Sequence, residues 1–136
     1  MLELNTFENK VLGFAEKLPF EDNSFDNIFC SFVWRNVSDT NKAFNEVYRV
    51  LRPGGKFVLL DMTRPKNSFV KILHKIGTFI LLHLIGLITF NLKEYRFLYK
   101  SLDFYPQPEN HLKKDAFIDL QIARMGLFDF VYLAVF

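Results

Sequence analysis

Hydrophobic positions in this chain follow two different periods. Around Ala43, Phe44, Val47, Tyr48 and Leu51 they recur every three or four residues, the spacing of one helix face. Asn27 to Val33 and Lys56 to Met62 are instead nearly continuous apolar runs, as in parallel strands covered on both faces. Ser38 or Asp39 can cap the helix between them. Pro53-Gly54-Gly55 stops it, because proline disfavours helix in the preceding residue and glycine accepts the turn. Upstream, Lys10 to Ala15 reads as a short strand. Leu18 to Ser24 reads as a loop, being rich in Pro, Asn, Asp and Ser.

Downstream of Pro65, Asn67 or Ser68 can cap a long apolar helix. A second helix is predicted over Lys93 to Asp103, and Pro106 and Pro108 break the chain. A third is predicted over Leu112 to Arg124, with Leu112, Ala116, Phe117, Leu120 and Ala123 on one side and Gly126 at its end. Phe128 to Phe136 reads as a last strand. Strands alternating with helices imply right-handed crossovers, hence an α/β fold with a parallel sheet.

The stretch Phe69 to Phe90 is largely apolar, yet Lys71, His74 and Lys75 stand in its first third. The uncharged remainder, Ile76 to Phe90, is shorter than the roughly 20 apolar residues that span a bilayer. A buried or interfacial helix is the favoured reading, with a spanning one as the alternative.

At 136 residues, 50% hydrophobic and 17% aromatic, the chain is expected to form a single domain over 1–136 with an aromatic-rich core. The net charge of +2 shows no basic patch of the kind nucleic acid requires. The single cysteine, Cys30, fits a reducing, cytoplasmic setting. The N-terminus lacks the pattern of a signal peptide. His74, His83 and His111 lack metal-ligand spacing, so no metal site is expected, and no Ser/His/Asp or Cys/His pairing suggests itself.

Four stretches carry a more specific message. They are Ala15-Glu16-Lys17-Leu18-Pro19-Phe20 with its continuation to Asp26, Ser31-Phe32-Val33-Trp34-Arg35-Asn36 with its continuation to Asp39, Arg49 to Thr63, and Glu94 to Leu102. In residues, order and spacing they resemble the ubiquinone/menaquinone biosynthesis C-methyltransferases. The resemblance implies a Rossmann-like methyltransferase fold that uses S-adenosylmethionine, with strand order 3-2-1-4-5-7-6. The predicted strands then match the third, fourth, fifth and sixth. Strands one and two are missing, so the fold is partial, and the Asn27 to Val33 strand is left with a bare apolar edge.

The resemblance also assigns roles. Arg35 would face the ring of a polyprenyl quinol, with Asn36 beside it, favouring ionisation of the acceptor phenol. The structural alternative pairs Arg35 with an acid such as Asp39. Phe14, Ala15 and Ser31 match positions near the cofactor, Ala15 through its backbone N–H. Ser31 can equally be a satisfied core hydroxyl, and Phe14 more readily packs than stacks. Residues 67–104 would cover the substrate, contacting a hydrocarbon tail or the membrane periphery; a core helix is the plain alternative.

Three departures stand out. None of the six glycines forms the Gly-x-Gly loop that approaches the cofactor. Phe14 replaces a family Asn or Asp and cannot accept a hydrogen bond. Asp61 and Thr63 replace Glu and Ser and keep their chemistry. Three arrangements answer the missing loop: a fragment of a longer frame, a second chain supplying the N-terminal half, or direct pairing of Lys10–Ala15 with Asn27–Val33. Two rival functions remain, a non-catalytic partner-binding or membrane-surface module, and methyl transfer to another lipid or small phenol.

Overall fold

The computed structural model describes residues 9–105, 107–112, 120–126 and 129–136. Its elements are β1 (Phe25–Ser31), a 3-10 turn (Trp34–Asn36), α1 (Thr40–Val50), β2 (Leu51–Met62), α2 (Ser68–Ile88), α3 (Leu92–Phe104), α4 (Pro108–His111), β3 (Gln121–Met125) and β4 (Val131–Val135). The strands form one sheet in the order β1-β2-β4-β3. This reproduces the 4-5-7-6 tail implied by the resemblance, so the strands are the fourth to seventh of that fold rather than the third to sixth.

The sheet is mixed. Ser24 N–H donates to Val50 O and Phe32 N–H to Leu60 O, both at 2.8 Å, so bonded positions on β1 and β2 ascend together and the pair is parallel. β4 runs antiparallel to both neighbours, with Leu60 opposite Leu133 and Ala123 opposite Leu133 on its other side. The predicted helix from Leu112 to Arg124 is therefore corrected at its far end, and residues 113–119 lie outside the described residues. The β3 segment supplies the hairpin partner that the sequence did not reveal. Its apolar spacing fits two periods over so short a run, and the open N–H and C=O groups of β4 decide for strand.

The chain divides into two compact units, residues 1–28 with 37–56 and residues 29–36 with 57–136. In the first, Asp39 caps α1 by accepting from the Asn41 and Lys42 N–H groups. Ala43, Phe44, Val47 and Val50 form the buried stripe, while Tyr48 is exposed. Glu46 and Arg49 bind the preceding loop: the Glu46 carboxylate accepts from Leu18 N–H, and the Arg49 guanidinium donates to Leu18 O, Phe20 O and Asp22. The Arg49 hydrogen bond is the main reason the Glu46 pKa falls to about 2. The predicted Pro53-Gly54-Gly55 turn is absorbed into the start of β2, where Gly54 has φ +80° and a Cβ on Gly55 would sit 2.8 Å from Asp26 O, so geometry requires both glycines. The predicted strand at 10–15 is absent: an isolated Phe14–Lys17 bridge is the β-pairing this segment shows, and direct pairing with β1 is excluded. A strand persists only with a ladder partner, and none of the described residues supplies one.

In the second unit Phe57, Leu59, Tyr132 and Ala134 are buried on β2 and β4, and Phe136 is buried just past the end of β4. Phe57 stacks on Phe136 with centroids 5.5 Å apart. Leu102 of α3 and Leu112 are also buried. Asn67 caps α2 by accepting from the Phe69 and Val70 N–H groups. Helices α2 and α3 pack as a hairpin, and a Cβ on Gly86 would sit 3.1 Å from Leu92 Cα, so the bend leaves little room for a side chain there.

Candidate functional site

Open α/β sheets bind ligands beyond the carboxyl ends of their strands. Here the ends of β1 and β2 carry the second unit's most constrained polar groups. The chain leaves β1 at Ser31, passes Phe32 at φ +56°, and winds into the 3-10 turn, where Asn36 N–H donates to Val33 O at 2.8 Å. Trp34 anchors the turn, buried against the Phe57 ring at 5.4 Å between centroids. The turn fixes Arg35.

Arg35 meets Asp61, which lies near the end of β2 and is fully buried. The guanidinium Nη1 pairs with Asp61 Oδ1, and the Arg35 backbone N–H donates to Oδ2 at 3.0 Å. Met62 N–H adds a third donor to the carboxylate at 2.7 Å. Nη1 also donates to Phe32 O at 3.1 Å, and Nε donates to Ser101 Oγ of α3 at 3.3 Å. The Arg35 side chain is 7% exposed. Its Nη2 donates to none of the described residues, so two N–H groups of a buried cation remain available.

Other polar groups occupy the same unit. Thr63, also fully buried, has a hydroxyl without a hydrogen-bond partner among the described residues. Tyr132 Oη donates to Tyr105 Oη at 3.4 Å, and burial pushes both phenols well above their usual range. Burial, with the Asp61 charge adding to it, pushes the Cys30 thiol up to about 11, so it is not a thiolate nucleophile at neutral pH.

Of the residues predicted from sequence, Ser31, Arg35 and Asn36 lie together around this turn in the second unit, with Ser31 half-buried and Asn36 exposed. Phe14 and Ala15 belong to the first unit, where Phe14 is 77% exposed. Asp39 is not the partner of Arg35; it caps α1 and pairs with Lys42. The partners Asp61 and Ser101 had no role assigned from sequence, though both fall inside the motif stretches. Glu16, in the first motif stretch, holds the Ser38 and Asp39 N–H groups at 3.0 and 3.1 Å.

Residues 7–120 match the model of the ubiE/COQ5 methyltransferase family. Among curated relatives, the ubiquinone/menaquinone biosynthesis C-methyltransferase UbiE of Rickettsia felis is 41% identical over 111 residues, covering 79% of this chain and 45% of that protein. The protein of the same name from Rickettsia bellii is likewise 41% identical over the same shares. The chain thus spans less than half the length of these relatives. Among solved structures, one from Anabaena variabilis, described as a methyltransferase from an antibiotic biosynthesis pathway, superposes with TM-score 0.55 at 21% identity, covering 85% of this chain and 40% of that one. A protein from Pyrococcus horikoshii gives TM-score 0.52 at 18% identity, covering 91% and 59%. Both likenesses support the Rossmann-like fold.

Proposed function

The chain belongs to the ubiE/COQ5 methyltransferase family, and from that premise we propose that it forms the acceptor side of a C-methyltransferase of quinone biosynthesis that uses S-adenosylmethionine. The acceptor is a polyprenyl quinol. The observation that carries the reading is the Arg35 Nη2 group, held rigidly beyond β1 with its donors uncommitted. The sulfonium donor, when bound, supplies a methyl group for in-line displacement by a ring carbon.

This chain's residues do not make a complete seat for that donor. The strand-to-helix connections at 32–39 and 63–67 contain no glycine, and Phe14 is exposed. The proposal therefore includes a second polypeptide segment carrying a glycine-rich strand–loop–helix. What the present residues do is hold and polarise the acceptor. Asp61 offsets the Arg35 charge, so Arg35 acts as an oriented hydrogen-bond donor more than as a bare cation. Its Nη2 donates to the acceptor's phenolic oxygen, favouring the ionised ring that attacks through carbon. Ser101, through Nε, fixes the plane of the guanidinium. Thr63 offers a buried hydroxyl just past the end of β2.

The test combines the chain with a donor-binding segment from a relative and measures methyl transfer to a demethylmenaquinol. Arg35→Lys keeps the charge but loses the fixed fork of donors, and about a 100-fold loss of turnover is expected, as when one preorganised donor is removed. Failure of every such combination to bind S-adenosylmethionine or its demethylated product by calorimetry overturns the reading in favour of a non-catalytic module. Transfer to simple phenols but not to quinols overturns the acceptor.

A further inference from the structure

We propose that the α2–α3 hairpin docks on the surface of an anionic phospholipid bilayer, with a lipid phosphate seated between Arg96 and Lys100. The first ground is the orientation of α2. Its half-buried row includes Val70, His74, Thr78 and Leu82, and His74 and Thr78 of this row bond Arg64. Apart from Lys71 in the first turn, its outward face is mostly hydrocarbon: Phe69, Ile72, Ile76, Ile80, Leu84 and Ile88 are each more than half exposed. A helix packed on a water-soluble domain shows the opposite arrangement. Polar groups turned inward and hydrocarbon turned outward is the pattern of a helix solvated by lipid.

The second ground is charge. Residues 66–104 carry six Lys and Arg against two Asp and Glu, whereas the whole chain is only +2. Arg96 and Lys100 stand one turn apart on α3, and neither is paired with a carboxylate among the described residues. They line a cleft of about 400 Å³ with Phe79, His83, Leu92 and Tyr99. Two cations above hydrocarbon walls match a phosphate joined to acyl chains. The same charge disfavours a second copy as the occupant, because a two-fold contact would set this basic face against itself.

The hairpin lies in the interface and does not span. α3 has 13 residues, about 20 Å of helix, short of a hydrocarbon core of about 30 Å. Arg96 and Lys100 also flank the second half of α2, where a spanning α2 would carry them to bilayer depth.

The proposal does not depend on methyl donor or acceptor, so its failure is separable from that of the proposed reaction. The 136-residue chain, shown helical by circular dichroism, is floated with vesicles of phosphatidylcholine alone and of phosphatidylcholine with phosphatidylglycerol in equal parts. Strong flotation with the mixed vesicles, weakened by salt, is expected. Arg96→Gln with Lys100→Gln lowers partitioning on the mixed vesicles about 25-fold, at about fivefold per cation, and leaves neutral vesicles unaffected. Ile76→Ser with Ile80→Ser lowers both while preserving the dichroism. Absence of flotation with the mixed vesicles, an unchanged partition for the double glutamine variant, or a stable dimer in solution that shields α2 each overturns the proposal.

Discussion

Two arginines are buried in the second unit, and they are used differently. Arg64, 2% exposed, follows the end of β2 and commits four of its five N–H groups. Nε donates to Asp103 at 2.8 Å, Nη1 to Thr78 Oγ1 at 2.8 Å and His74 Nδ1 at 3.1 Å, and Nη2 to Tyr99 O at 3.4 Å. Its guanidinium carbon also lies 4.8 Å from the Tyr99 ring centroid. Arg35 commits three and leaves Nη2 open. Arg64 locks the α2–α3 hairpin to the end of the sheet, whereas Arg35 is positioned by its partners and keeps donors for something else. Buried charge alone does not mark a site; unspent hydrogen-bonding capacity does.

Replacing each arginine is the strongest way to break this contrast. Arg35→Met strands Asp61, which is fully buried and has no other cation among the described residues, and should cost about 3–5 kcal/mol in urea unfolding. Adding Asp61→Leu should recover most of that loss. Arg64→Met should cost less, about 1–3 kcal/mol, because Asp103 is partly exposed and keeps Lys75 at 3.2 Å. A larger loss at Arg64 than at Arg35 would reverse the assignment.

Ser101→Ala removes one neutral partner of Arg35 and should cost about 0.5–1.5 kcal/mol in the same unfolding experiment. Its effect on methyl transfer should exceed what that loss implies, since the guanidinium plane is freed. Equal small effects on both would reduce Ser101 to packing.

pH separates the two regions with the smallest effect. An arginine cannot accept a hydrogen bond, so His74 Nδ1 must be the acceptor and the ring is neutral. Burial first, then the Arg64 charge, holds the His74 pKa below its usual 6.5. The unfolded chain therefore binds this proton more readily. The His74 contribution is complete above pH 6.5 and declines as pH falls below it towards the lower folded value. Thermal melts should show that decline in the native chain and lose it in His74→Gln, while Arg35→Met leaves it intact.

Local physics was legible in the sequence. The Asp39 and Asn67 caps and the boundaries of α2 and α3 depend on neighbours within a few residues, so the letters sufficed. The motif order likewise identified the family. Tertiary structure alone decided what rests on partners far along the chain. Arg35 found Asp61, 26 positions away, in place of nearby Asp39, because the end of β2 brings a buried carboxylate to the turn after β1. Gln121–Met125 became strand because the edge of β4 had to be paired, whereas Lys10–Ala15 pairs with none of the described strands, although β1 stands at the edge of the sheet. Strand identity and charge pairing are settled by which groups would otherwise be buried unsatisfied, and that is a property of the assembled fold.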